Sequence, residues 1–178
     1  MRTKRLTTMA ILTALAAVLS WVERLIPLEM LIPLPGVKLG LANTVTMFAL
    51  YRLDMPAAWL ILIARCLLGT LLGGNVTGLA FSVTGAVFAM FAMAAGKRTG
   101  KLSVYGVSVL GAEAHAAGQI LVAWLMMNTG AIIGYLPYLM LIGIVCGCLT
   151  AAVASGVLRT LRITDQEQKT ASAGRETE

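Results

Sequence analysis

Residues 35–43, Pro35-Gly36-Val37-Lys38-Leu39-Gly40-Leu41-Ala42-Asn43, set a lysine and an asparagine at the mouth of a strongly apolar helix. An unpaired ammonium or amide beside hydrocarbon costs several kcal/mol, so such groups are held by a partner, a water-filled cavity or a ligand. The preceding stretch, from Arg24 to Pro35, carries Pro27, Pro33 and Pro35 among Leu, Ile and Met. It is too apolar for a solvated loop and too rich in proline for a helix, and it reads as a lid over a pocket.

Composition carries the same message outward to the whole chain. With 58% hydrophobic and 12% charged residues among 178, and a mean hydropathy of +0.85, the chain has more apolar side chain than one soluble core could bury. It reads as an all-α integral membrane protein. Spans of about 20 apolar residues, separated by Gly, Pro or charge, predict six helices, near 7–23, 38–51, 56–73, 77–96, 103–127 and 132–158. The second is short for a full crossing, as expected of a helix that begins below the surface beneath a lid.

A formal charge of +6 in a soluble domain would suggest nucleic acid, but here the position of the basic residues explains them. Arg2, Lys4, Arg5, Arg52, Lys97, Arg98, Lys101, Arg159, Arg162, Lys169 and Arg175 all fall on one side of a six-span bundle with both termini cytoplasmic. Arg24 and Lys38 fall on the other side, and Arg65 falls inside helix 3. No nucleic-acid partner is expected. Ala14-Leu15-Ala16 has some likeness to a signal-peptide cleavage site, but the apolar run before it is barely long enough, so helix 1 is kept as a span. The bundle is a single domain over residues 1–162. From Ile163 to Glu178 the sequence turns to Asp, Gln, Glu, Lys, Thr and Ser with no apolar period, which predicts a disordered cytosolic tail.

Polar residues within the spans are the candidates for function. Arg65 is nine residues from Pro56, about 13 Å along a helix rising 1.5 Å per residue, and so near the midplane. His115 and Gln119 are one turn apart on helix 5 and share a stripe with Ser108 and Gly111. Asn43, Ser82 and Thr84 fall in the outer half of helices 2 and 4. Ser82, Thr84 and the glycines are better explained as helix-packing residues than as ligand contacts. Lys38, Asn43, Arg65, His115 and Gln119 form the candidate substrate-binding set, and its cations favour an anionic or acceptor-rich ligand. Glu113 faces away from the stripe, and its expected role is to pair with Arg65 or with a neighbouring subunit.

Other chemistries are not encoded. Cys66, Cys146 and Cys148 have neither the spacing of a redox pair nor that of a zinc set, so no metal or cofactor is expected. Prenyl transfer normally uses clustered aspartates that hold Mg²⁺, and this sequence has only Asp54 and Asp165. Gly69, Gly73 and Gly74 are not followed by the Lys-Ser or Lys-Thr of a P-loop. The chain is therefore expected not to be an enzyme by itself.

The runs PGVKLGLANTVTMFALYRLDMPAAWLILIARCLLGTLLGG (35–74), GLAFSVTGAVFAMFAM (78–93) and SVLGAEAHAAGQI (108–120) resemble a small bacterial membrane family, the Gx transporters, also named heptaprenyl diphosphate synthase component I. That family in turn is similar to the substrate-binding S components of energy-coupling-factor (ECF) transporters, which are six-helix proteins. The family often has Asn after the histidine, whereas Ala116 follows His115 here. The resemblance implies a multi-pass protein of the bacterial cell membrane that captures a small molecule at the outer face. Its implied partners are a membrane coupling subunit and cytosolic ATPases. It also gives meaning to RLTTMAILTALAAVL (5–19), where Ala10 and Ala14 match the Ala-x-x-x-Ala motif by which S components dock on that subunit. Alanines one turn apart flatten a helix face for close approach. The family's older name implies the alternative, a non-catalytic membrane subunit associated with a polyprenyl diphosphate synthase.

Overall fold

A computed structural model describes residues 2–23, 25, 38–72 and 75–175, with side chains over 3–23, 25, 38–72 and 75–160. Apart from Leu25, the stretch read as a lid lies outside the described residues up to Lys38. Among the described residues there are six α-helices: α1 (Arg2–Glu23), α2 (Asn43–Arg52), α3 (Met55–Leu71), α4 (Val76–Thr99), α5 (Val104–Met127) and α6 (Leu136–Arg175), with a 3₁₀ turn at Gly130–Tyr135 before α6. No strand is found among the described residues.

Local chemistry sets the helix ends. Asp54 caps α3 by accepting the Ala57 N–H at 2.8 Å, with Pro56 in the first turn where its missing N–H costs nothing. Asn75 caps α4 through the Gly78 N–H at 2.6 Å, and Ser103 caps α5 through the Gly106 N–H at 3.2 Å. Gly100, at φ 64°, ends α4 in the left-handed conformation that glycine adopts without strain.

Helix α2 begins at Asn43, later than the residue 38 expected from the sequence. Gly40 takes φ 80°, and its carbonyl accepts the Asn43 N–H at 2.8 Å, so the chain enters the helix through a turn. Ten residues then span about 15 Å, half a bilayer. At the other end of the chain, α6 remains helical through Arg175, across the polar stretch from which the sequence predicts disorder. Its Gln, Glu, Lys and Ala residues are good helix formers even without an apolar stripe.

Among the described residues four helical segments, Thr3–Glu23, Val76–Thr99, Val104–Met127 and Gly130–Thr160, are long and apolar enough to cross a membrane, and Met55–Leu71 is a shorter apolar helix. Their outward faces bear the marks of lipid contact. Leu60, Phe91, Leu125, Leu141 and Val153 are each more than half exposed, an arrangement that water would penalise and hydrocarbon accepts.

The interior holds two apolar clusters. The larger joins α1 to α4 through Leu12, Ala16, Val45, Met47, Ile61, Leu62, Met90 and Met93, and the smaller packs Phe81 against Ala116, Ile120, Ala123, Ile132 and Leu139. Close approach of α5 to its neighbours depends on glycine. A Cβ on Gly118 would lie 3.0 Å from Gly85 Cα, and one on Gly147 would lie 2.8 Å from Val109 Cα.

Two contacts fix one end of the bundle. Arg5 of α1 pairs with Asp54 at the start of α3 at 2.5 Å, and Lys97 near the end of α4 donates to the Leu50 carbonyl of α2 at 2.5 Å while lying over the Tyr51 ring. The starts of α1 and α3 and the ends of α2 and α4 therefore share one basic end.

Candidate functional site

Helices α2, α3 and α5 each bring a polar side chain to the middle of the bundle, where all are buried. Arg65 Nη2 donates to Asn43 Oδ1 at 2.8 Å, Asn43 Nδ2 lies 3.1 Å from His115 Nδ1, and His115 Nε2 lies 3.1 Å from Gln119 Nε2. Four of the five residues expected to bind substrate thus form one continuous chain. The fifth, Lys38, donates to Ser82 Oγ on α4 and adds a second cation toward the start of that helix. Ser82 is therefore a polar partner of Lys38 and more than a small packing residue.

The direction of the chain follows from its first member. A guanidinium can only donate, so Asn43 must present its oxygen to Arg65 and its NH₂ to His115. His115 Nδ1 is then the acceptor, and the ring carries its proton on Nε2. Gln119 must turn its oxygen toward that proton, because two facing donors cannot bond, and its NH₂ is left pointing away from the ring.

Glycine makes room for the imidazole. A Cβ on Gly85 would lie 2.7 Å from His115 Cε1, and one on Gly40 would lie 3.3 Å from Cδ2. Both helix α4 and the turn into α2 therefore lie against the ring with no side chain between them. Ala116, which stands where the resembling family often has Asn, is buried in the smaller apolar cluster, away from the polar chain.

Sequence reading left open whether Arg65 serves a ligand or Glu113. The two do not pair. Arg65 is engaged by Asn43, while Glu113 turns to α6, where a Cβ on Gly143 would lie 2.8 Å from its Oε1. The two oxygens of Glu113 are covered and have no hydrogen-bond partner among the described residues. Ser108 Oγ meets Thr150 Oγ1 of α6 at 2.7 Å, a second partner that the sequence did not indicate.

The residue that mattered most and was missed is Glu23. It is 4% exposed, and its Oε1 accepts the Leu41 N–H at 2.5 Å, in the turn that leads into α2. A signal was present in the sequence, since Glu23 continues the buried stripe Leu12, Ala16, Ser20 at helical spacing.

Beside this centre is a small cavity lined by Gly40, Asn43, Ser108, Gly111, Cys146 and Thr150 among others, with room for about one water. Among the described residues, no three His, Cys, Asp or Glu side chains gather as a metal site would need. Ala10 and Ala14 take no part in the centre and are exposed on the outer face of α1.

A helical, multi-pass membrane protein with a buried, cation-bearing polar centre is the class that this fold and site define. Over residues 12–157 the chain matches the family described as Heptaprenyl diphosphate synthase component I, and it belongs to that family. No curated protein and no solved structure matches the chain.

Proposed function

We propose that this chain is a non-catalytic membrane subunit that holds an anionic small molecule within its helix bundle and presents it to a partner. The observation that carries the reading is Arg65, a guanidinium 4% exposed among apolar helices, whose Nε has no hydrogen-bond partner among the described residues. The family's name supports a heptaprenyl diphosphate synthase as the partner, and an isoprenoid diphosphate is the ligand we propose with it. The diphosphate would suit the cations, and the prenyl chain would suit the apolar faces. Catalysis would rest with an aspartate-rich partner, since the two aspartates of this chain lie far apart in sequence. In this reading the protein crosses the bacterial cell membrane six times with both termini in the cytosol.

A second reading is favoured by α1. Its exposed Ala10 and Ala14 form a flat face, and a groove of about 320 Å³ lined by Arg5, Leu6, Met9, Pro56, Ala57 and Leu60 opens between α1 and α3. Such a surface suits docking on the membrane coupling subunit of an ECF-type uptake transporter driven by cytosolic ATPases. The anion would then be a nutrient taken from the outside.

One reconstitution separates the two. Vesicles carrying this chain are supplied with an aspartate-rich prenyl synthase from the same cell, and long-chain product is measured with and without the chain. A gain in product that Arg65→Gln removes supports the synthase subunit. Unchanged product together with uptake dependent on a coupling subunit and ATP supports transport.

A further inference from the structure

We infer that Glu113 is a proton-binding site within the membrane, its carboxyl carried as the neutral acid in the seam between α5 and α6. The inference goes beyond the anion reading and does not depend on it, since Glu113 takes no part in the polar centre. Glu113 lies about nine residues past Val104, and so about 13 Å along a 24-residue helix that is long and apolar enough to cross a membrane. Both of its carboxyl oxygens are covered, and neither has a hydrogen-bond partner among the described residues. A Cβ on Gly143 of α6 would lie 2.8 Å from Oε1, so the carboxyl rests on α6 where the side chain is missing.

The neighbours offer this carboxyl no charge. Arg65 donates to Asn43, and His115 on the same helix meets Asn43 and Gln119. The titratable side chains described on the elements packed against α5 are Tyr51 and Arg52 of α2, Lys97 and Arg98 of α4, Tyr135 in the 3₁₀ turn, and Tyr138, Cys146, Cys148 and Arg159 of α6, and none of them bonds to either oxygen. Water is kept away as well. The small cavity beside the polar centre is not lined by Glu113, and one turn along the seam a Cβ on Gly147 would lie 2.8 Å from Val109 Cα, so α6 meets α5 at backbone distance beside the carboxyl. An ionised carboxylate there would keep its full desolvation cost, and a bound proton removes it. The neutral acid needs one acceptor for its O–H, where the carboxylate would need several donors. Carbonyls of these helices do serve side-chain donors, as Thr13 and Thr70 show by donating four residues back at 2.8 and 3.0 Å.

The test is infrared spectroscopy of the full-length chain in phospholipid vesicles at neutral pH, wild type against Glu113→Gln. The variant should lose one C=O band of a protonated carboxylic acid and keep the carboxylate bands unchanged. Loss of a carboxylate band in its place overturns the inference and points to a cation supplied by a neighbouring subunit. If Glu113→Gln does not fold, wild type is treated with an apolar carbodiimide at neutral pH and its peptides are mapped. A neutral acid adds across that reagent, its proton passing to one nitrogen and its oxygen to the central carbon with nothing released. An adduct on Glu113 supports the inference, and an unmodified Glu113 overturns it. Arg65→Gln should leave the acid band in place, so the result stands or falls apart from the anion site.

Discussion

Asn43 Oδ1 accepts the Arg65 guanidinium at 2.8 Å, and that one bond orders the whole polar centre. Because arginine cannot accept, the amide of Asn43 is locked, and the tautomer of His115 is locked in turn. His115 is the only histidine of the chain, so its ring nitrogens can be observed without assignment. In ¹⁵N-histidine-labelled protein Nδ1 should show the unprotonated resonance and Nε2 the protonated one. Asn43→Ala should release the preference. The opposite tautomer in wild type would show that the chain of donors runs the other way.

Coupling energies report the same arrangement. A double-mutant cycle between Arg65→Gln and Asn43→Ala should give an interaction of about 0.5–3 kcal/mol in thermal or denaturant unfolding, as residues in one hydrogen-bond network do. The cycle between Arg65→Gln and Glu113→Gln should stay within about 0.5 kcal/mol of additivity, since the two side chains share no contact. A large rescue of Arg65→Gln by Glu113→Gln would restore the ion pair that the structure removes.

Helix approach at His115 depends on a missing side chain. Gly85→Ala places a methyl 2.7 Å from His115 Cε1 and 2.8 Å from Nδ1, so the ring must move and its bond to Asn43 must break. A loss of about 1–3 kcal/mol in stability is expected from such overpacking. Gly130→Ala meets nothing within 4 Å and should be silent, within about 0.5 kcal/mol. Equal melting temperatures for the two variants would contradict the packing.

On α1, Ala10→Trp and Ala14→Trp should leave folding unchanged, because both positions are exposed, while abolishing any assembly that uses this face. Copurification with a coupling subunit is the measurement, and assembly that survives both substitutions rules out the transporter reading of α1.

Orientation in the membrane can be checked in a chain whose three cysteines are replaced by alanine. A cysteine at Gly130 should react with an impermeant thiol reagent applied to intact cells, and one at Thr99, at the basic end, should not. Labelling at Thr99 would contradict six crossings with cytosolic termini.

Much of this arrangement is legible in the amino-acid sequence. Helical class follows from composition alone, and the spacing of His115 and Gln119 with the depth of Arg65 picks out side chains that lie in one hydrogen-bonded chain in the fold. What is not legible depends on tertiary approach. The helical spacing of Glu23 from Leu12, Ala16 and Ser20 hints at its burial, but its partner is not legible, because only the fold of the turn at Gly40 sets Leu41 over its carboxylate. The same turn explains the late start of α2, because nothing in a periodicity of apolar residues reveals that one glycine takes a left-handed conformation. Ser82 and Thr150 are ambiguous for a simpler reason, since small hydroxyl residues pack helices as readily as they bond across them.

The central claim, that the cations of the bundle hold an anion, is tested most directly by native mass spectrometry of the detergent-solubilised chain, with the ligand released on collisional activation. Wild type should carry one small anionic molecule per chain, and Arg65→Gln, shown to be folded by its melting curve, should carry none. A wild-type chain that emerges without any bound anion, or equal occupancy in the Arg65→Gln protein, would contradict it.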